Sequence, residues 1–410
     1  MNMGSRIVVN RSEAEEIKSM GGWILLFGRR KVGKTFLIKN FLNYDIYFFI
    51  RRDGRIRMEN GNEKIDTGGM IEKVKRGLVD GKTVVIDEFQ RLPEEVWDDI
   101  ASVHPSGRLI LSGSSMSVVS KLLSKNSPFL GIIYPYRLGL IRAKDILNSL
   151  LSYLSPEKAI EVAPYLRDPW TIPLFTSPEK FFPSLLNILP YAIPALIGEI
   201  FTEEERELTK TYYSIISLIG EGYLDYREIA SILYSRKIIK SPASSSVLPY
   251  IKNLRDMGIL REIKRYGKKR YVYEIDSEPA KMFYYLDSRY DLSREITYDE
   301  VKPTLEKLHN LAIERFVADL FAELYGGRVE YLKEANREID MLITKRNKPI
   351  IVGEVKWGKA TKKDIESFEK KTENFYCRKI FFTRRKIKGM RNVEILTPED
   401  LLQIGIKRRT

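Results

Sequence analysis

The sequence predicts a multidomain α/β protein: an α/β nucleotide-binding core, a helical lid, a three-helix unit with a hairpin, and a second α/β unit. Three observations carry that expectation. The apolar run Trp23–Phe27 leads directly into GRRKVGKT (28–35) and then FLIKNFL, which reads as strand, glycine-rich loop and helix. Residues 203–290 hold three amphipathic segments followed by two alternating strands around Tyr266-Gly267-Lys268. Residues 291–410 order as helix, three strands, helix, strand. At 410 residues the chain exceeds one ordinary core, and the boundaries are expected at 1–142, 143–202, 203–290 and 291–410.

Composition narrows the chemistry. With 43% hydrophobic and 30% charged residues the chain is globular, and a net charge of +14 makes polyanions, DNA foremost, its natural partners. The single cysteine, Cys377, excludes an internal disulfide and a cysteine-based zinc site. Only His104 and His309 offer imidazole, so a metal would be held by oxygen, which favours magnesium or manganese. Two glutamines amid abundant Ile, Lys, Arg, Glu and Tyr give a thermophile-like balance. No run of eighteen apolar residues occurs, and residues 1–16 lack a signal-peptide layout, so a cytoplasmic chain without membrane contact is expected.

In the first unit, Gly28 and Gly33 let the backbone wrap a phosphate, with a helix N-terminus facing the anion. Lys34 would reach the β- and γ-phosphates of ATP, and the Thr35 hydroxyl would hold Mg²⁺. Arg29, Arg30, Lys31, Val32 and Phe36 complete the expected nucleotide contacts. TVVIDEFQ (83–90) is a second strand ending in acids: Asp87 would bind the metal, while Glu88 would orient or deprotonate the attacking water. A third strand, RLILSGSS (108–115), ends at Ser114, placed either as a γ-phosphate sensor or as the N-cap of MSVVSKLL.

These motifs resemble the archaeal ATPase family within the AAA+/STAND group of P-loop NTPases. The matching residues are Asn10-Arg11-Ser12-Glu13 with Glu16, GRRKVGKT, VVIDEFQ, LSGSSMSVV and SPFLG (127–131). The resemblance implies that Asn10 and Arg11 lie near the adenine. The family usually carries an arginine after that last glycine; here Ile132 and Ile133 follow Gly131, which argues against an intersubunit arginine finger and for slow or monomeric turnover over a fast ring. A homo-oligomer that uses the ATPase as a slow assembly clock is the other reading.

Residues 143–202 are proline-punctuated and apolar, so several short helices are expected there as the lid. Length and prolines also argue against a membrane span at 181–201. TKTYYSIISLIGEG, YLDYREIASILYS and SSSVLPYIKNLRDMGIL then read as three helices, and REIKRYGKKRYVYEID as a basic hairpin: a winged helix. Lys252 and Arg255 on its third helix, and Arg265, Lys268, Lys269 and Arg270 on its wing, are the candidate DNA contacts. The alternative is that the unit only packs modules together.

After a charged linker (291–303), LEKLHNLAIERFVADLFAELYG is a long amphipathic helix, followed by three strands with turns at KEAN and KRNK, a helix at 361–375, and a closing strand RKIFFTRR. This is the core order of the PD-(D/E)xK nuclease fold. Asp340 falls on the second strand, Glu354 and Lys356 on one face of the third, and Glu314 on the preceding helix. Asp340 and Glu354, with Glu314 at a second ion, would ligate Mg²⁺ or Mn²⁺, and Lys356 would position the attacking water. The unit is similar to the nuclease-like C-terminal domains that archaeal ATPases of this family carry, and more distantly to archaeal Holliday-junction resolvases. The expected function is ATP turnover coupled to metal-dependent DNA cleavage; the alternative is a nucleotide switch that binds nucleic acid or a protein partner without cutting.

Overall fold

The computed structural model describes residues 7–59, 65–292, 297–334, 337–387 and 392–404. The first unit runs α1 (Ser12–Ser19), β1 (Trp23–Phe27), α2 (Lys34–Phe41), β2 (Ile46–Ile50), β3 (Ile56–Met58), α3 (Thr67–Val79), β4 (Thr83–Asp87), α4 (Trp97–Ala101), β5 (Arg108–Gly113), α5 (Met116–Leu122) and β6 (Ile133–Arg137). The six strands order as β3-β2-β4-β5-β1-β6, parallel apart from the edge strand β3. Strands covered on both faces need apolar residues at every position. Accordingly Trp23, Leu25 and Phe27 pack on one side, and Ile24 and Leu26 on the other with Leu37 and Ile38 of α2. Because β5 lies between β1 and β4, the loop after β1, the acids after β4 and the serines after β5 open at one sheet edge.

The lid is α6 (Ala143–Leu150), α7 (Pro156–Leu166), a 3-10 turn at Pro169–Leu174, and α8 (Pro178–Glu203). The expectation of several short helices fails for α8, which is one 26-residue helix through Pro183, Pro190 and Pro194. Spacings of seven and four put these prolines on one face, where they are half-buried or exposed. The lost N–H bonds therefore fall on the outer side, where water can satisfy the freed carbonyls and a curve convex toward solvent accommodates the rings. Among the described residues α8 is the one helix long and apolar enough to cross a membrane, so length and prolines do not exclude a span. Its Phe181, Leu185, Leu189, Ile193 and Ile200 are buried in the main core.

Next come α9 (Lys210–Glu221), α10 (Tyr226–Ser235), α11 (Leu248–Asp256) and the hairpin β7 (Leu260–Lys264) and β8 (Tyr271–Ile275), as the sequence predicts. A further helix, α12 (Glu278–Tyr290), was not anticipated; Ser277 caps it, Pro279 stands in its first turn, and it buries Met282, Phe283, Tyr284 and Leu286.

The C-terminal unit comprises α13 (Tyr298–Tyr325), β9 (Arg328–Glu334), β10 (Arg337–Lys345), β11 (Lys348–Lys356), α14 (Lys362–Lys371), β12 (Arg378–Thr383) and β13 (Glu394–Leu396). Residues 298–303, expected as linker, are helical, because Thr297 and Glu300 form a capping box at the start of α13. The turn expected at KRNK is two residues, Arg346 and Asn347, both at positive φ. The turn expected at KEAN ends in Ala335 and Asn336, which lie outside the described residues. The mixed sheet orders β13-β12-β11-β10-β9: a meander, then a parallel return through α14.

A largely half-buried ion network joins the helical region, the three-helix unit with its hairpin, and the C-terminal unit. Asp319 of α13 takes Arg167, which follows α7, at 2.6 Å and Arg261 of β7 at 2.8 Å. Glu274 of β8 takes Arg261 at 3.2 Å and Arg315 of α13 at 2.8 Å, and Arg315 reaches Glu278 of α12 at 2.6 Å. Burial disfavours the Glu274 carboxylate, but the cations Arg315, Lys281 and Arg261 prevail and hold it at about 2.

Candidate functional site

The glycine-rich loop is shaped by contacts only glycine permits. A Cβ at Gly28 would lie 2.0 Å from the Leu138 carbonyl oxygen, and Gly33, with φ of 91°, starts α2. Lys34 Nζ donates to the carbonyls of Gly28 at 2.7 Å and Arg29 at 3.2 Å, folding its ammonium under the loop. Burial pulls Lys34 down to about 8, although Glu88, Glu203 and Asp87 oppose the shift. A phosphate there would restore the charged form.

Thr35 Oγ1 donates to Asp87 Oδ2 at 2.7 Å, and the Tyr47 hydroxyl donates to the same oxygen at 2.7 Å. Hydroxyl and carboxylate oxygens at this spacing fit Mg²⁺, which takes one or two protein oxygens and completes its shell with water and phosphate. Glu88 follows at φ 60°, a left-handed conformation that costs a non-glycine residue and turns the carboxylate toward the loop. Gln90 Nε2 holds it at 2.8 Å and Arg91 at 2.9 Å. Burial raises its proton affinity. Gln90 Nε2 also donates to Ser114 Oγ at 3.1 Å, linking Glu88 to the end of β5. The helix-cap role falls to Ser115, which accepts from Val118 N–H, so Ser114 is left to the cleft.

A cleft of about 530 Å³ opens over these groups. Lys31, Val32, Gly33, Lys34, Thr35, Phe36, Glu88 and Ser114 line one side; Ile7, Val9, Ile141, Pro169, Trp170 and Ile172 form an apolar wall opposite. That wall suits a purine and was not legible from sequence, since its residues come from three distant stretches without a motif. Three of the expected contacts are engaged otherwise than expected. Asn10 is exposed and does not line the cleft; its N–H goes to Ser149 Oγ at 3.3 Å. Arg11 lines the cleft, but its guanidinium is spent on the Val32 carbonyl at 2.7 Å and Glu13 at 2.8 Å, so it braces the loop. Arg29 is also turned away, to Asp168 at 2.7 Å.

In the C-terminal sheet the second set of acids is brought near enough to interact, though not into one ligand set. The β10–β11 register ends at Met341–Gly353, and Asp340 Oδ2 accepts the next N–H, that of Val355, at 3.0 Å. A register shift between Ile339 and Leu342 on the β9 side accompanies this departure. Burial, then the charges of Asp340, Glu338 and Glu354, lift Glu314 to about 8. Burial foremost, with Glu354 adding, lifts Asp340 to about 6. As expected, Val355 enters the main core while Glu354 and Lys356 face the other way, toward α14. There α14 answers both: Lys371 reaches Glu354 at 3.3 Å, and Asp364 lies 3.7 Å from Lys356. Among the described residues no group of three or more His, Cys, Asp or Glu stands close enough to hold a metal ion. The expected ligand set therefore is not assembled: the donors suit a hard cation, but Glu354 is held by Lys371.

The basic candidates divide. Arg255 pairs with Asp256 at 2.9 Å and Glu262 at 3.0 Å, and Arg265 pairs with Asp225 at 3.3 Å over the Tyr331 ring, so neither is free for phosphate. Lys252, Lys268, Lys269 and Arg270 are exposed. The wing itself docks on the C-terminal sheet: Tyr266 N–H donates to the Tyr331 carbonyl at 3.0 Å, and its ring packs on Phe375.

Residues 21–130 match the family model described as an AAA domain, so this part of the chain is an AAA-type P-loop ATPase domain. Among solved structures, the Walker-type ATPase of Pyrococcus abyssi is 18% identical, with 68% of this chain and 96% of that one covered and a TM-score of 0.52. The ORC2 protein of Aeropyrum pernix in its ADPNP–ADP complexes is 13% identical, with 77% and 98% covered and a TM-score of 0.39. The Aeropyrum pernix ORC1 protein in complex with DNA is 13% identical, with 71% and 96% covered and a TM-score of 0.30. No curated protein matches the chain. At 18% identity the first likeness is one of fold.

Proposed function

We propose that the protein is an ATP-hydrolysing switch that governs how its winged helix and C-terminal unit engage DNA. The observation that carries this is the cleft itself: the P-loop, the Thr35–Asp87 pair and the lid wall at Pro169 and Trp170 meet around one space. A nucleotide there touches core and lid together, so its presence biases their arrangement. The net charge of +14 and the exposed Lys252, Lys268, Lys269 and Arg270 support nucleic acid as the partner. The test is DNA binding with and without ATP across a salt series. Affinity should fall linearly on a log–log plot and differ between nucleotide states; salt-independent binding would point to a protein partner instead.

The placement of Asp340 and Glu354 on adjacent strands, with Asp340 accepting the Val355 N–H, supports a second reading, in which the C-terminal sheet is a metal-dependent phosphodiesterase of the PD-(D/E)xK kind. It requires Lys371 to release Glu354 when a Mg²⁺ or Mn²⁺ ion arrives. Incubation with duplex, single-stranded and branched DNA and either metal tests it. Cleavage should vanish in Asp340→Ala and Lys356→Ala with binding retained, and absence of cleavage by the unaltered protein on all three substrates removes this reading while leaving the switch.

A further inference from the structure

Two consecutive P-loop arginines are both held by the lid, in different ways. Arg29 and Asp168 form a sealed pair at 2.7 Å, their side chains 5% and 1% exposed. Arg30 faces outward into two adjoining spaces. It lines the nucleotide cleft with Lys34, Thr35 and Glu88, and also a smaller hollow of about 360 Å³ with Arg51, Arg52, Glu88 and Arg91. Arg30 and Glu88 thus share the wall between the two, on the side where Glu88 would face a terminal phosphate.

The last turns of α8 supply the groups that hold Arg30. Its Nε donates to Glu199 Oε2 at 2.5 Å, and its Nη1 donates to Glu203. Glu199 and Glu203, four residues apart, lie on one face of α8, and Arg52 also reaches Glu199 at 2.9 Å. The next residue, Glu204, accepts the N–H groups of Met116 at 2.5 Å and Ser117 at 2.9 Å, just beyond Ser114. The second oxygen of Glu203 is buried without a hydrogen-bond partner. A buried acceptor left unsatisfied weakens the contact that strands it.

The other cations lining the nucleotide cleft are otherwise engaged or differently placed. Arg11 is spent on Val32 and Glu13, Lys34 is the P-loop lysine, and Lys31 is exposed at the mouth. Ile132 and Ile133 follow Gly131, so no arginine is offered there. A guanidinium fork fits carboxylate and phosphate oxygens alike.

We propose that Arg30 is the cation that meets the terminal phosphate of ATP from within the same chain, and that Glu199 and Glu203 hold it in reserve. ATP competes with the two carboxylates for Arg30 and so loosens the end of α8; ADP, lacking the terminal phosphate, does not. This rests on ATP filling the cleft, and it adds the element that distinguishes triphosphate from diphosphate.

The experiment is ATP and ADP binding by calorimetry, with single-turnover hydrolysis, for the unaltered protein, Arg30→Ala, Arg30→Lys and the double variant Glu199→Gln/Glu203→Gln. Arg30→Ala should weaken ATP at least about tenfold, keep ADP within about twofold, and slow hydrolysis on the order of 10³-fold. Arg30→Lys should not restore the rate. The double variant, which keeps Arg30, should bind ATP roughly fivefold more tightly with ADP unchanged. Equal weakening of ATP and ADP in Arg30→Ala, or weaker ATP binding in the double variant, would show a merely structural ion pair and overturn the assignment. Failure of the unaltered protein to bind ATP would overturn the functional reading as well, which separates the two failures.

Discussion

The nucleotide cleft and the acid cluster of the C-terminal sheet are both built at strand ends beside a helix, yet they are satisfied differently. In the cleft the functional groups hold one another in a provisional arrangement: Thr35 on Asp87, Lys34 on its own loop, Glu88 on Gln90 and Arg91. Each of these contacts is one that Mg²⁺–ATP could replace with an equal or better one. In the cluster, Glu314 and Asp340 are buried, with like charge nearby, and Glu354 and Lys356 are taken by Lys371 and Asp364 on α14. The difference shows that converging acids are not sufficient for a metal site; what their charges are already bound to decides whether an ion can enter.

Four measurements would break or sharpen that contrast. The largest effect is expected at Glu88→Gln: ATP turnover should fall by about 10²- to 10⁴-fold with ATP still bound, as for loss of a general base. Unchanged turnover would take the catalytic role from Glu88. Next, Trp170→Ala should weaken ATP and ADP alike by about tenfold, the scale for losing one base-stacking ring, as read by nucleotide titration. A selective loss of ATP would move the base away from this wall. In the cluster, Lys371→Ala should tighten Mn²⁺ binding roughly fivefold, the upper end for a partly exposed ion pair; unchanged Mn²⁺ titrations would mean the acids form no ion site. The smallest effect is in pH dependence. Because Glu314 is raised from 4.5 to about 8, the folded state retains a proton that the unfolded chain releases. Its contribution to stability is full below the ordinary glutamate value and is lost as pH rises through about 8. Glu314→Gln, which cannot ionise, should flatten that slope in metal-free denaturation curves.

What the sequence disclosed follows from how each feature is written along the chain. The P-loop was legible because strand, loop and helix are contiguous, so GRRKVGKT carries its own context. The face assignment of Glu354 and Lys356 followed from strand alternation and is seen in the sheet. The continuous α8 was hidden because prolines argue against helix unless their spacing places them all on one outer face. Trp170 and Tyr47 carry no motif; only folding brings them to the site. Arg255 and Arg265 looked available because their acidic partners lie elsewhere in the unit or beside them without a recognisable spacing.

The ion network between lid, hairpin and C-terminal helix has a consequence for how the molecule melts. Arg167, Arg261 and Arg315 are matched by Asp319, Glu274 and Glu278, three charges of each sign drawn from lid, winged helix and C-terminal helix. Any one of these modules that unfolds alone leaves a half-buried charge without its partner, a penalty below the ~3–5 kcal/mol of a fully buried pair. The three are therefore expected to unfold in a single calorimetric transition. The N-terminal sheet contributes none of these six residues, but the sealed Arg29–Asp168 pair ties its P-loop to the lid, so it is expected to melt in the same transition.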